Sequence, residues 1–139
     1  MTVEFALVGP LPPPIGGATV LFSQVVEALG GAGVSLQVVN TSRGTASPLP
    51  RAMRIATDLW RLERSQVVLV GGSWPSILPL SFVVKFRTRR WQAPVVVRLF
   101  GGSYRERLSR RGVRTLARLM LRGAERLELE GSDCVAAWQ

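Results

Sequence analysis

The sequence predicts an α/β fold in which a parallel β-sheet is covered by helices on both faces. Short apolar runs recur along the chain and stop at glycine or proline, which is typical of buried strands. Segments with helical spacing of apolar residues separate these runs. Strands that alternate with helices indicate a parallel, Rossmann-like sheet, because each strand needs a helical crossover to reach the next one.

The first strand–helix–strand unit is the clearest part of the pattern. Residues 5–8 are an apolar run that leads into a loop rich in proline and glycine over residues 9–17. Residues 18–29 show helical spacing, and a pair of glycines ends the helix. Residues 34–39 then predict the second strand.

The remaining segments continue the alternation. In chain order the sequence predicts a helix over 51–64, a strand over 67–70 closed by two glycines, a helix over 75–86, a basic turn over 85–90, a strand over 95–99, a basic helix over 105–122, a weak strand over 125–130 and a short helix from Ser132. Pro79 lies inside the third predicted helix, so that helix is either kinked or begins later.

Length and composition favour one folded domain over residues 1–139. The chain is 47% hydrophobic and 19% charged, which provides enough apolar material for a core and excludes disorder. The longest apolar stretch, residues 75–86, contains two prolines and is shorter than the roughly 20 residues that span a bilayer.

The charge balance predicts an anionic partner. Lys and Arg number 18 against 9 Asp and Glu, for a net charge of +9. Nucleotide phosphates, nucleic acid, an acidic membrane face and an acidic protein all fit this charge. The chain has no histidine, which excludes every mechanism that needs a histidine base or ligand from it. The single cysteine, Cys134, forms no internal disulfide and is compatible with a cytoplasmic location.

Glycines follow three of the predicted strands, and parallel strands bring these glycines to one edge of the sheet. Ligands of open parallel sheets bind beyond the carboxyl ends of the strands, where glycine lets them approach the backbone. One such loop is more simply a turn, but three on one edge favour a cleft. After the third strand the candidate residues are Gly71, Gly72, Ser73 and Trp74, and around the fourth they are Arg98, Phe100, Gly101, Gly102 and Ser103.

Gly16-Gly17 precedes the first helix directly, so its backbone N–H groups and the positive helix end suit a phosphate. Neither the G-x-G-x-x-G fingerprint nor a P-loop is present. The prolines of Pro12-Pro13-Pro14 are expected to hold the loop out as a fixed lip.

Two segments carry a resemblance to a known family. Residues 9–17, with the helix that ends Val26-Glu27-Ala28-Leu29, resemble the N-terminus of GT-B-fold glycosyltransferases, closest to the large retaining group (family 4-like) that uses nucleotide-sugar donors. Residues 97–102 are similar to a later loop of the same group at the domain cleft. The resemblance extends strand by strand over the whole chain.

The resemblance implies an N-terminal, acceptor-side domain that faces a donor-binding domain across a cleft. Gly16 and Gly17 would reach the donor diphosphate, and Gly101 and Gly102 would line the acceptor side. It implies a nucleotide-sugar as substrate and no metal. Many relatives have a histidine where Phe100 stands. The chain ends after one domain, so the resemblance implies that the C-terminal, donor-binding half either has been removed or is a separate subunit, as in a split enzyme.

The arginine-rich helix over 105–122 is amphipathic. A solvated face that covers the sheet is the simpler interpretation. Contact with anionic lipid at the inner face of the membrane is the sharper one and would suit a lipid-linked acceptor. Residues 85–91 form a second basic and aromatic patch of the same kind.

Two rival functions remain open on the sequence. A non-catalytic Rossmann-like regulatory or binding subunit would keep the fold without the chemistry. A basic nucleic-acid-binding module is the other rival, although no RNA-binding motif is present.

Overall fold

A computed structural model gives the fold. The residues that it describes are 3–13, 15–42, 47–74, 76–100, 106, 108 and 110–129.

Five strands form one sheet in which every pair is parallel. They are β1 (Val3–Gly9), β2 (Leu36–Asn40), β3 (Ser65–Ser73), β4 (Val95–Phe100) and β5 (Arg126–Leu129). Their spatial order is β2-β1-β3-β4-β5. The predicted fold class, a Rossmann-like α/β fold, is confirmed.

Four α-helices have described bounds and pack on the sheet: α1 (Gly17–Gly31), α2 (Pro48–Trp60), α3 (Ile77–Thr88) and α4 (Arg111–Met120). A short 3-10 helix, Arg89–Trp91, follows α3. Alternate strand residues enter two separate cores. Leu7 packs with Phe22 of α1, whereas Val8 belongs to the core that also holds residues of α2, α3 and α4. Helix α1 therefore covers one face of the sheet, and the other three cover the opposite face.

The sequence predicts that Gly71 and Gly72 close the third strand. This prediction is wrong, because both glycines lie inside β3. Strand β3 continues to Ser73, and Gly71 and Gly72 pair with Arg98 and Leu99 of β4. The apolar run ends at Val70, but pairing with β4 extends the strand beyond it.

The prolines of α2 and α3 all lie in the first turn of their helix, where proline is tolerated. Helix α2 starts at Pro48, three residues earlier than predicted, because the first turn of a helix needs no N–H partners. It ends at Trp60, earlier than predicted. Helix α3 starts at Ile77, so Pro79 lies in its first turn and the later start is the correct alternative.

Two predictions about the basic segments are wrong. The backbone of Arg110 is extended, with ψ of 118°, and it caps a helix of 10 residues, so no single helix runs over 105–122. The segment 85–90 is not a turn, because α3 continues to Thr88 and the 3-10 helix follows it. The final strand forms within its predicted range. The predicted helix from Ser132 and Cys134 lie outside the described residues.

The ring of Phe22 sets how closely α1 approaches the sheet. A Cβ placed on Gly9 would lie 2.5 Å from this ring, and one on Gly71 would lie 2.8 Å from it and 2.9 Å from the ring of Phe100. Phe22 is fully buried. Both strands therefore need glycine beneath this side chain.

Within the described part of the chain, no helix combines the length and the apolar character needed to cross a bilayer.

We expect Gly9→Ala to lower the free energy of unfolding by about 1–3 kcal/mol, because its methyl group would overlap the Phe22 ring in a packed core. Denaturant unfolding followed by circular dichroism measures this loss. Gly31→Ala is the matched control, since a Cβ there meets nothing within 4 Å. Equal stability of the two variants would contradict the packing described for Phe22.

Candidate functional site

A cavity of about 630 Å³ lies at the carboxyl edge of the sheet. Pro10 after β1, Thr41 after β2 and the end of β3 contribute to its wall, together with the first turn of α1 and the facing sides of α2 and α3. This volume is within the usual range for small-molecule sites.

The cavity coincides with the topological switch point of the sheet. The chain leaves β1 toward β2 on one side and leaves β3 toward β4 on the other. The connections after β1 and β3 lead to helices on opposite faces, which opens a crevice between them. Ligands of doubly wound sheets bind in this crevice.

The polar groups that line the cavity are mostly hydroxyls and one guanidinium. They belong to Thr19, Thr41, Ser42, Arg51, Ser73 and Ser76. The rest of the wall is apolar and includes Ile55, Ile77 and Leu80. Among the described lining residues there is no Asp or Glu. Such a wall can bind hydroxyl groups and one anionic group, but it supplies no carboxylate base.

Asn40, the last residue of β2, joins two segments at the cavity. Its Oδ1 accepts hydrogen bonds from the N–H of Leu11, at 3.0 Å, and of Ser42, at 2.9 Å. The N–H of Thr41 donates to the carbonyl of Gly9 at 2.9 Å. The proline-rich loop and the start of the β2–α2 connection are thus held together.

Two arginines of α2 fix the same connection from the other side. Arg51 donates from Nε and Nη2 to the carbonyl of Thr41, at 3.2 and 2.8 Å. Arg54 donates from Nη2 to the carbonyls of Asn40 and Ser42, both at 3.2 Å. The two guanidinium groups thus donate hydrogen bonds to the backbone carbonyl groups at and just after the end of β2, which orders this wall of the cavity.

The structure brings together four of the residues expected from sequence to line a cleft: Gly71, Gly72, Ser73 and Trp74. Ser73 is exposed and Trp74 is half-buried. The space beside Gly71 is filled by aromatic rings on the α1 face, so this glycine meets the cavity through its backbone.

Gly16 and Gly17 do not line the cavity. Both are exposed, and the next two residues, Ala18 and Thr19, line the cavity. The Thr19 hydroxyl accepts the N–H of Gly16 and donates to its carbonyl, each at 2.9 Å. This reciprocal contact caps the first turn of α1.

Arg98 and Phe100 do not line this cavity. Phe100 is buried and packs with Leu7 and Phe22 on the α1 face of the sheet. The guanidinium of Arg98 lies 5.5 Å from the centre of the Phe100 ring. The remaining predicted cleft residues, Gly101, Gly102 and Ser103, lie outside the described residues.

A second cavity, of about 770 Å³, adjoins the first along the groove between α2 and α3. The two share Ala56, Leu59 and Val83 as lining residues. At its far end lie Trp60, Phe86 and three arginines. The groove therefore connects the sheet edge to a basic, aromatic surface.

Sequence reasoning missed Asn40, Thr41, Ser42 and Arg51. These residues lie at the end of the second strand and in the second helix, where no glycine marks the strand end. The available signal was positional: every connection that follows a parallel strand lies on the ligand edge, whether or not it contains glycine.

Among the described residues, no group of His, Cys, Asp and Glu side chains is arranged to hold a metal ion.

Comparison with known proteins gives no match. No family model matches the chain, and neither a curated protein nor a solved structure matches it.

We expect Asn40→Ala to lower the free energy of unfolding by about 1–2 kcal/mol, because the half-buried N–H groups of Leu11 and Ser42 lose their acceptor. Asn40→Asp keeps an oxygen at this position and is expected to retain most of the stability. Chemical denaturation of both variants measures the difference. An alanine variant as stable as the aspartate variant would contradict the role given to Asn40.

Proposed function

We propose that this chain is the acceptor-side half of a GT-B-fold glycosyltransferase, which moves a sugar from a nucleotide-sugar donor to an acceptor. The observation that carries the proposal is the hydroxyl-lined cavity at the switch point of a parallel sheet. The resemblance of the proline-rich loop to that enzyme family supplies the reaction.

The cavity wall fits a sugar-bearing acceptor. Hydroxyl side chains and the backbone of Gly71 and Gly72 offer partners for sugar hydroxyls. The half-buried ring of Trp74 offers an apolar surface to a sugar ring. Arg51 is the one charged residue among the described lining residues, and its guanidinium, which also holds the carbonyl of Thr41, adds a positive potential that favours an anionic group on the acceptor.

The chemistry in this proposal requires the donor-binding half, in the same polypeptide or a separate one. The described lining residues include no carboxylate, so acid–base groups must come from elsewhere. The start of α1 supports this arrangement, because Gly16 and Gly17 are exposed directly before the lining residues Ala18 and Thr19, and a diphosphate held by the other half would meet the N–H groups of the helix there. No metal is part of the proposed reaction.

A lipid-linked acceptor would place the enzyme at the inner face of the cytoplasmic membrane. The net charge of +9 supports attraction to an anionic surface.

A non-catalytic binding subunit is the second candidate function. The burial of Phe100 favours it. Many enzymes of the family that the chain resembles have a histidine at this position, whereas a phenyl ring packed beneath α1 offers no hydrogen bond to a sugar. Absence of nucleotide release in the assay below, with vesicle or ligand binding intact, would favour this candidate.

We expect Ala52→Trp to lower sugar transfer at least tenfold, because the indole would enter the cavity from the exposed side of α2. The measurement mixes the chain with the donor-binding half, supplies UDP- or GDP-linked hexoses and follows nucleotide release with and without a membrane lipid extract as acceptor source. Ala28→Trp, on the exposed side of α1, is the matched control. Equal nucleotide release by the two variants would place the acceptor elsewhere.

We expect Gly17→Pro to lower turnover about tenfold or more, because it removes one N–H that faces the donor phosphate. Proline fits the first position of a helix, so the variant is expected to fold. Gly17→Ala keeps the N–H and is expected to retain more turnover than the proline variant. Unchanged turnover of Gly17→Pro would show that the amides of this helix start do not stabilise the departing diphosphate.

A further inference from the structure

The outward surface of α2, α3 and α4 carries most of the exposed large apolar side chains of the described chain. Eight of the ten lie on these three helices: Leu49, Met53, Trp60, Phe82, Val83, Phe86, Leu116 and Leu119. All three helices cover the same face of the sheet. We call this outward surface the three-helix face.

Helix α2 packs Ile55 and Leu59 toward the core but turns a second apolar stripe away from it. Leu49, Met53, Ala56 and Trp60 follow the i, i+4, i+7, i+11 spacing of one helix side, and all four are exposed. Leu59 is the buried residue of this helix. An exposed stripe of this kind is unusual for a helix that already buries another apolar side, and such surfaces commonly mark binding sites.

The stripe of α2 continues across the groove onto α3. The lining of the groove includes Trp60 on one side and Val83 and Phe86 on the other. Phe82 lies one turn before Phe86, and these two rings are 56% and 73% exposed. The apolar side chains of two helices thus form one continuous surface.

Cations surround this surface. Arg89 and Arg90 are exposed at the end of the groove. The guanidinium carbon of Arg87 lies 5.5 Å from the centre of the Trp60 ring and 5.1 Å from the centre of the Trp91 ring. Helix α4 adds further arginines on the same face. Neither α3 nor α4 contains an acidic residue, and the one in α2, Asp58, is half-buried.

We propose that the three-helix face docks on an anionic lipid bilayer. Apolar and aromatic side chains would enter the boundary between headgroups and acyl chains, and the arginines would bind lipid phosphates. The absence of acidic residues from α3 and α4 fits a negatively charged bilayer better than a second copy of this chain, which would place like charges against each other.

This docking gives a lipid-linked acceptor a direct route to the candidate site. The groove at the basic end and the cavity at the sheet edge share three lining residues, so a chain that leaves the bilayer through the groove reaches the cavity. The inference rests on the membrane location in the proposed function, and it assigns that location to a surface.

The test is cosedimentation of the 139-residue chain with phosphatidylcholine vesicles that contain about 30% phosphatidylglycerol. We expect binding that weakens at least tenfold on pure phosphatidylcholine and weakens further at high salt. The variant Phe82→Glu/Phe86→Glu is expected to lose at least tenfold in affinity, and so is Arg89→Gln/Arg90→Gln, since each cation near the surface contributes about fivefold.

Val20→Glu is the control, because it places a carboxylate at an exposed apolar residue of α1, on the opposite face of the sheet. It is expected to bind vesicles within about twofold of the unmodified chain, allowing for one added negative charge. Thermal unfolding followed by circular dichroism confirms that all variants are folded.

Three results would overturn the proposal: no preference for anionic vesicles, equal loss of binding in Val20→Glu, or a stable dimer that the paired phenylalanine substitutions dissociate. Vesicle binding requires no donor half. Loss of vesicle binding with nucleotide release intact therefore rejects the docking alone, and vesicle binding without nucleotide release rejects the transferase alone.

Discussion

The contact between the Phe22 ring and two glycines sets the geometry on which the candidate site depends. Gly9 and Gly71 lie on adjacent strands, β1 and β3, and the ring occupies the space that a Cβ on either residue would take. Helix α1 consequently approaches the sheet closely at the switch point. The first turn of α1, with Thr19 buried, is thereby held at the carboxyl edge, where the cavity opens.

The two faces of the sheet are covered in different ways, and this difference produces the other features of the molecule. Helix α1 packs its aromatic ring into the sheet on one face. On the other face α2 packs Ile55 and Leu59 toward the core but leaves Leu49, Met53 and Trp60 exposed, and a groove lies between it and α3. Hydrogen bonds of Asn40, Arg51 and Arg54 tie the N-terminal part of α2 to the end of β2, where apolar packing is sparse. The same sparse packing leaves the three-helix face apolar, basic and available to a partner.

Local patterns in the sequence were sufficient for the strands and the fold class. The apolar runs before Gly9 and at residues 67–70 and 95–99 all fall in strands of a parallel sheet. Gly71 and Gly72 were assigned to a loop because periodicity does not report pairing, and it is pairing with β4 that extends β3. The break at Arg110 was missed because charged residues fit either a helix or its cap.

The candidate site was only partly accessible to sequence reasoning. Gly71 to Trp74 were predictable because the glycines mark the carboxyl end of β3, although they lie inside the strand rather than after it. Asn40 acts on Leu11, 29 residues away, and Arg51 acts on Thr41 across a connection. No local spacing encodes such contacts, since they arise from the order of strands in the sheet. The sequence also gives no sign that Trp60 is exposed, because an aromatic residue at helical spacing normally packs into the core.

The sheet-edge cavity, held in shape by Phe22 and by the hydrogen bonds of Asn40, adjoins a groove that ends in a basic, apolar face. We propose that this cavity holds a sugar-bearing, anionic acceptor. The most direct measurement is titration of the ¹⁵N-labelled chain with glucose 1-phosphate, followed by backbone and indole NMR shifts. The account predicts saturable shifts at Gly71, Gly72 and the Trp74 indole. Shifts confined to the arginines of α4, or none that saturate at the sheet edge, would contradict it.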